Sequence, residues 1–148
     1  MKKIIFVCTG NTCRSPMAEF ILKNKLKLAF VKDVRVKSAG LSATDGAKIS
    51  RNSFLALKAL GIKAYGFKSR LLTRDMVEKA DLIICMTMAH KAYLNGFQNV
   101  IAISEITGQD VSDPYGGDLN TYIKTSHQIE DACNDILDKI LNLKGENL

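Results

Sequence analysis

The apolar run Lys3-Ile-Ile-Phe-Val-Cys8 passes without a spacer into Thr-Gly-Asn-Thr-Cys and then Arg14-Ser15-Pro16. No other stretch restricts the fold so tightly. An Ile/Val-rich run that does not alternate with polar residues suits a strand buried on both faces of a parallel sheet. Pro16 suits a first helical turn, where its missing N–H does no harm. A strand, a tight loop over residues 9–13 and a helix beginning near Arg14–Pro16 must therefore follow one another directly. The loop then lies at the carboxyl end of a strand and the amino end of a helix, where open α/β sheets bind their ligands.

The remainder of the chain continues the alternation. Val34–Ser38, Leu82–Met86 and Val100–Ile103 are short apolar runs that predict three more strands. Met17, Phe20, Ile21 and Leu28 share one face of the helix after the loop. Ala47–Leu60 predicts a second helix, stopped by Gly61 at the C′ position. Thr73–Ala80, with Thr73 as N-cap, and Met88–Asn95 predict two shorter ones. Ile129, Ala132, Cys133, Ile136, Leu137, Ile140 and Leu141 recur at steps of three and four and mark a last helix. The expected fold is α/β: a single doubly wound domain over residues 1–148, with a four-stranded parallel sheet flanked by helices on both faces.

Five residues separate Cys8 from Arg14, and Ser15 follows. A loop this short, curling around a helix N terminus, can aim successive N–H groups into one concavity that favours a phosphate dianion. Gly10 permits tight curvature, and Asn11 tolerates a left-handed conformation. Arg14 can grip two phosphate oxygens with its planar fork. The Gly-x4-Gly-Lys-Ser/Thr pattern of nucleotide-binding loops is absent. The cysteine turns holding phosphate into attacking it, because a helix N terminus and a nearby cation favour thiolate over thiol. Ser15 is placed to hydrogen-bond that sulfur. The leaving group also needs a proton, and Asp113 in the turn-forming stretch "DPYGG" is the candidate acid, with Asp110 and Asp118 as rivals.

The net charge of +6 suits an acidic or phosphorylated partner. Scattered lysines and no recognised motif argue against nucleic acid. The cysteines at 8, 13, 85 and 133 lack zinc-pair spacing, so no metal and no cofactor is expected. The start, "MKKIIFVCTGN", is too briefly apolar for a secretory signal, and no stretch is long enough to span a bilayer. A cytoplasmic monomer with reduced thiols, meeting an acidic or phosphorylated partner away from membranes, is expected.

Together, "VCTGNTCRSPMAE", "SAG" at 38–40, "ADLIICM" at 80–86 and "DPYGG" at 113–117 resemble the low-molecular-weight protein tyrosine phosphatases over essentially the whole chain. The resemblance implies Cys8 as nucleophile, Arg14 as phosphate clamp and Asp113 as general acid, with a cysteinyl-phosphate intermediate. It implies Asn11, Ser15 and Ser38 as a network holding the loop. Thr9, Gly10, Asn11, Thr12, Cys13, Ser15 and Tyr115 are the expected phosphate and substrate contacts. It makes Cys13 either a reversible disulfide partner of Cys8 or a buried loop thiol.

Three departures from the tyrosine-specific pattern stand out. Thr12 replaces a branched apolar residue, and Tyr115 is followed by Gly116 where a second aromatic is usual. A bacterial branch, the protein-arginine phosphatases, is similar on both counts. A threonine hydroxyl can bond a guanidinium, and a missing aromatic makes room for one. Phe67 replaces a histidine that supports the loop in many members. Phosphoarginine on proteins is therefore the expected substrate, phosphotyrosine the alternative. Arsenate reductase is a lesser alternative, because Cys85 lacks the closely spaced partner that such a relay requires. A catalytically dead phosphoresidue binder would lack Cys8, Arg14 or Asp113, and all are present. A thiol-redox protein is disfavoured, because Cys8 and Cys13 are not spaced Cys-x-x-Cys. Cys85 and Cys133 are expected as core thiols, His90 and His127 as surface residues, and Lys23, Lys25 and Lys27 on the solvated side of the first helix. Tyr122 is either a regulatory phosphorylation site of the family or a residue packed against the sheet.

Overall fold

A computed structural model describes residues 2–146. Strands β1 (Lys2–Cys8), β2 (Val34–Gly40), β3 (Leu82–Cys85) and β4 (Val100–Ala102) alternate with helices α1 (Arg14–Leu28), α2 (Arg51–Ala59), α3 (Arg74–Lys79), α4 (Met88–Ala92), α5 (Ser104–Thr107) and α6 (Leu119–Glu146). The sheet order is β2-β1-β3-β4, and every neighbouring pair is parallel. The expected four-stranded doubly wound architecture is present. From β1 the chain crosses to one side to make β2 and then returns past β1 to make β3. The strand order thus reverses beside the carboxyl end of β1, which creates a crevice at Cys8.

Alternation along β1 divides the core. Ile4, Phe6 and Cys8 point toward α1, α2 and α6, where they meet Met17, Ile21, Leu22, Leu57 and Ile129. Ile5 and Val7 point the other way, toward Val77, Ile83, Leu94 and Val100. Burial on both faces explains why the strand sequence does not alternate. It also fixes Cys8 on the face where α1 begins.

Several boundaries differ from expectation for local reasons. The second helix starts at Arg51, because Ser50 caps it by accepting from Ser53 N. Residues 46 and 47 instead pair with Ser69 through backbone bonds. Gly61 does sit one residue past the cap, at φ 78°. Thr73 caps α3 as expected. The fourth helix stops at Ala92, and β3 and β4 each end one residue early. Leu28 is 70% exposed rather than part of the apolar face. At ~1.5 Å per helical and ~3.3 Å per strand residue, α1 and β1 are both about 23 Å long, so Leu28 arrives at the open end of the sheet. Lys25 is only partly solvated; its ammonium reaches Glu130 of α6 at 4.0 Å.

Candidate active site

The loop between β1 and α1 is held by its carbonyls. Those of Cys8, Thr9, Thr12 and Cys13 accept from Leu41 N, Ser42 N, Ser50 N and Met17 N at 2.9, 3.0, 2.9 and 3.3 Å. The backbone N–H groups from Thr9 to Ser15 find no partner among the described residues. The carbonyls are thus spent on the scaffold while the amides are left for a ligand, and the helix dipole adds to their field. Asn11 makes the curl possible at φ 55°. Gly10 does not adopt a left-handed conformation, and a Cβ there would meet only Thr12 Oγ1, at 3.8 Å.

The close-fitting glycine is Gly40. A Cβ at Gly40 would lie 2.5 Å from Thr9 O and 2.9 Å from Asn11 N. The last residue of "SAG" therefore lets β2 pass directly behind the loop.

Behind the amides runs a buried chain of hydrogen bonds whose directions can be assigned. Asn11 Oδ1 accepts from Arg70 N at 2.9 Å, which fixes the amide orientation. Its Nδ2 therefore donates to Ser15 Oγ at 2.8 Å and to Ser38 Oγ at 2.9 Å. Ser38 donates onward to Glu19 Oε1 at 2.7 Å, and Lys23 donates to Glu19 Oε2 at 2.6 Å. Having accepted from Asn11, Ser15 has its own hydrogen for Cys8 Sγ, 2.8 Å away. The chain thus ends in a donor directed at the sulfur. Phe67 takes no part; it packs edge-on against Phe20 at 6.1 Å.

Arg14 is 6% exposed. Its Nη1 donates to Val111 O at 3.1 Å, and its Nη2 lies 3.6 Å from Asp113 Oδ2. Val111 N is pinned to Met86 O at the end of β3, so this one loop orients both guanidinium and carboxylate. Asp113 Oδ1 accepts from Tyr115 N, and Gly117 N closes the turn on Pro114 O. The rival acids have other tasks. Asp110 accepts from Met88 N at the start of α4. Asp118 accepts from the Thr121 N–H and hydroxyl at the start of α6, and those bonds hold its carboxyl below its usual range.

A cavity of about 250 Å³ is lined by Cys8, Thr9, Gly10, Asn11, Thr12, Cys13, Arg14, Asp113 and Tyr115. The cavity therefore gathers every residue assigned from sequence to catalysis or substrate contact except Ser15, which bonds Cys8 and Asn11 from behind the wall, and Ser38 also bonds Asn11 from behind. Tyr115 stands at the mouth, 82% exposed.

Cys13 Sγ lies 3.5 Å from Tyr122 Oη. Burial, then that bond, pushes the Tyr122 hydroxyl up to about 12. Tyr122 is packed in the core. Cys85 and Cys133 are buried thiols, each pushed up to about 12 by desolvation, so both are inert. His127 is on the surface as expected, but His90 is not. It is buried and bonded to Thr9 and Thr87. Sequence reading missed Glu19 and His90. Glu19 carried a signal, an acid one turn beyond Ser15 among apolar residues; His90 carried only a Thr-x-x-His spacing.

The family model described as low molecular weight phosphotyrosine protein phosphatase matches residues 3–146. A protein-arginine-phosphatase of Bacillus subtilis is 37% identical over 90% of this chain and 93% of its own. The low molecular weight protein-tyrosine-phosphatase PtpB of Staphylococcus haemolyticus is 36% identical over 86% and 91%. Among solved structures, the YwlE arginine phosphatase of Geobacillus stearothermophilus superimposes with a TM-score of 0.91 at 30% identity, covering 100% of this chain and 98% of its own. A cysteine-to-serine mutant of a YwlE arginine phosphatase, with a phosphorylated active-site serine, gives 0.87 at 34% identity over 93% and 95%.

Proposed function

The chain belongs to the low molecular weight phosphotyrosine protein phosphatase family, and from that premise we propose that it hydrolyses phosphoarginine on proteins through a phosphocysteine intermediate. The observation that carries the reading is the loop of unpartnered amides closing on Cys8, with Arg14 and Asp113 at the same cavity.

In the first step the phosphoryl oxygens occupy the amides and the Arg14 fork. The Cys8 sulfur forms the S–P bond while the P–N bond breaks. The bonding pair goes to the guanidinium nitrogen, which takes a proton from Asp113. In the second step Asp113 accepts a proton from water, the water oxygen bonds to phosphorus, and the S–P pair returns to sulfur. Ser15 stabilises sulfur whenever it carries negative charge, before attack and again on departure. The relative trapped with a phosphorylated serine supports a covalent step.

Arginine is favoured over tyrosine by Thr12 at the cavity wall and by Gly116 after Tyr115, which leaves a single aromatic at the mouth. The relatives called arginine phosphatases support this, and the similarly close PtpB keeps phosphotyrosine as the second reading. One chain supplies every named group, which suits a monomer. No helix among the described residues is long and apolar enough to cross a membrane, and the four free thiols suit a cytoplasmic enzyme.

The test is a side-by-side assay on phosphoarginine and phosphotyrosine peptides, repeated with Thr12→Ile. A higher kcat/KM for phosphoarginine that shifts toward phosphotyrosine in the variant is expected. A ratio that does not move removes Thr12 from specificity. Failure to trap phosphorus on the Cys8 sulfur in rapidly quenched samples ends the covalent mechanism.

A further inference from the structure

His90 lies on α4 outside the phosphate-binding loop, and both of its ring nitrogens are engaged. Nδ1 is 3.0 Å from Thr87 Oγ1 and Nε2 is 2.9 Å from Thr9 Oγ1. A neutral imidazole carries one N–H, so only one of these bonds is donated by the ring. Thr87 favours one of the two. As the N-cap of α4, its Oγ1 already accepts from the His90 backbone N–H at 3.1 Å. One of its lone pairs is thus taken, and Nδ1 is the only acceptor that its own hydrogen meets among the described residues. The ring proton then sits on Nε2 and is donated to Thr9. Having accepted that bond, the Thr9 hydroxyl turns its hydrogen away from His90, and Thr9 lines the cavity around Cys8.

We infer that His90 is a positioning residue for phosphoryl transfer, which holds the Thr9 hydroxyl so that it donates to a phosphoryl oxygen. The inference rests on the phosphatase reading and adds one side-chain donor to the backbone amides. The sequence of bonds is Thr87 O–H to Nδ1, Nε2–H to Thr9, and Thr9 O–H to phosphate. Burial, reinforced by Arg14 and opposed by Asp113 and Asp110, pushes the imidazole down to about 4, so it stays neutral near neutral pH. The opposite tautomer would draw the Thr9 hydrogen back toward the ring and leave phosphate facing a lone pair.

Two measurements test this. Long-range ¹H–¹⁵N spectra of the intact protein with inorganic phosphate should show His90 protonated at Nε2 and bare at Nδ1; a proton on Nδ1 overturns the inference. In kinetics on an aryl phosphate, His90→Phe and Thr9→Val should each lower kcat roughly tenfold, the size of one hydrogen bond to a charged group. The double variant should be no slower than Thr9→Val alone, and His90→Gln, whose amide can donate to Thr9, should recover part of the loss. Multiplying losses, or no rescue by Gln, refute the pairing. A wild-type protein inert toward every phosphorylated substrate sinks the phosphatase reading instead, while the spectra still decide the tautomer.

Discussion

Ser38 on β2 donates its hydroxyl hydrogen to the Glu19 carboxylate on α1 across 2.7 Å, in a part of the core where both side chains are buried. This bond orders the donors that end at Cys8. With Ser38 committed to Glu19, Asn11 can only donate to it, and Ser15 receives the other amide hydrogen. A carboxylate that does not touch the Cys8 sulfur thus sets the direction of the bond that Ser15 makes to it.

Glu19→Gln tests that dependence. The amide can present a donor to Ser38, which removes the single sense of the network. A loss of about 1–3 kcal/mol of stability in urea melts is expected. A fall in kcat should accompany it, with KM little changed. Full kcat with lowered stability would confine Glu19 to packing.

Asp113→Ala should slow substrates in proportion to how poorly their leaving groups hold negative charge. Aryl phosphates with acidic phenols need little protonation and should be least affected; roughly 10²–10⁴-fold is expected for groups that require the proton. A leaving-group series measured on wild type and variant checks this, and equal slowing throughout would point to another acid.

Two glycines in the site should behave oppositely. Gly40→Ala sets a methyl 2.5 Å from Thr9 O, a backbone atom that cannot step aside. Overpacking of this kind costs about 1–3 kcal/mol, and here the displaced atoms belong to the phosphate loop. Both melting temperature and turnover should fall. Gly10→Ala adds a methyl in ordinary contact, 3.8 Å from Thr12 Oγ1, and should fold with wild-type stability. Equal melting temperatures for the two variants would contradict the close approach of β2.

The buried imidazole should mark the acid limb of stability. Its folded value, about 4, lies below the ordinary 6.5 because burial disfavours the cation. Between these values the unfolded chain takes up a proton that the folded protein refuses. His90 therefore costs nothing above pH 6.5, and its penalty grows as pH falls to about 4 and is constant below. Urea midpoints should fall faster across that window in wild type than in His90→Gln. Parallel profiles would show that the imidazole protonates without penalty in the fold.

The fold and the phosphate loop were legible because their signals are local. An unbroken apolar run, a proline at a helix start and a cysteine–arginine spacing can be read without knowing what lies nearby in space. Asn11 is a clear case, since a residue type that tolerates a left-handed φ stands in the tight loop that uses one. What escaped depends on distant partners. Glu19 is meaningful only beside Ser38, and Gly40 only beside Thr9 O. His90 looked like a surface residue because a short helix carries too little periodicity to reveal its buried side. Asp113 stood among rivals in the sequence, and it took the tertiary structure to place it at the cavity and Asp110 and Asp118 at helix starts. Leu28 failed for a geometric reason, since the right face of a helix is of no use beyond the edge of the layer it covers.

The row of amides from Thr9 to Ser15, with no partner among the described residues, ties the enzyme's durability to its own product. On the proposed mechanism, inorganic phosphate released at the end of a cycle meets the same donors as the transferring group, so it competes with the next substrate. By mass action it also shifts the unfolding equilibrium, by about 2.7 kcal/mol at a hundred times its dissociation constant. Ambient phosphate is therefore both a brake on throughput and a protectant against heat, and conditions that starve the protein of it should yield a faster catalyst with a shorter life.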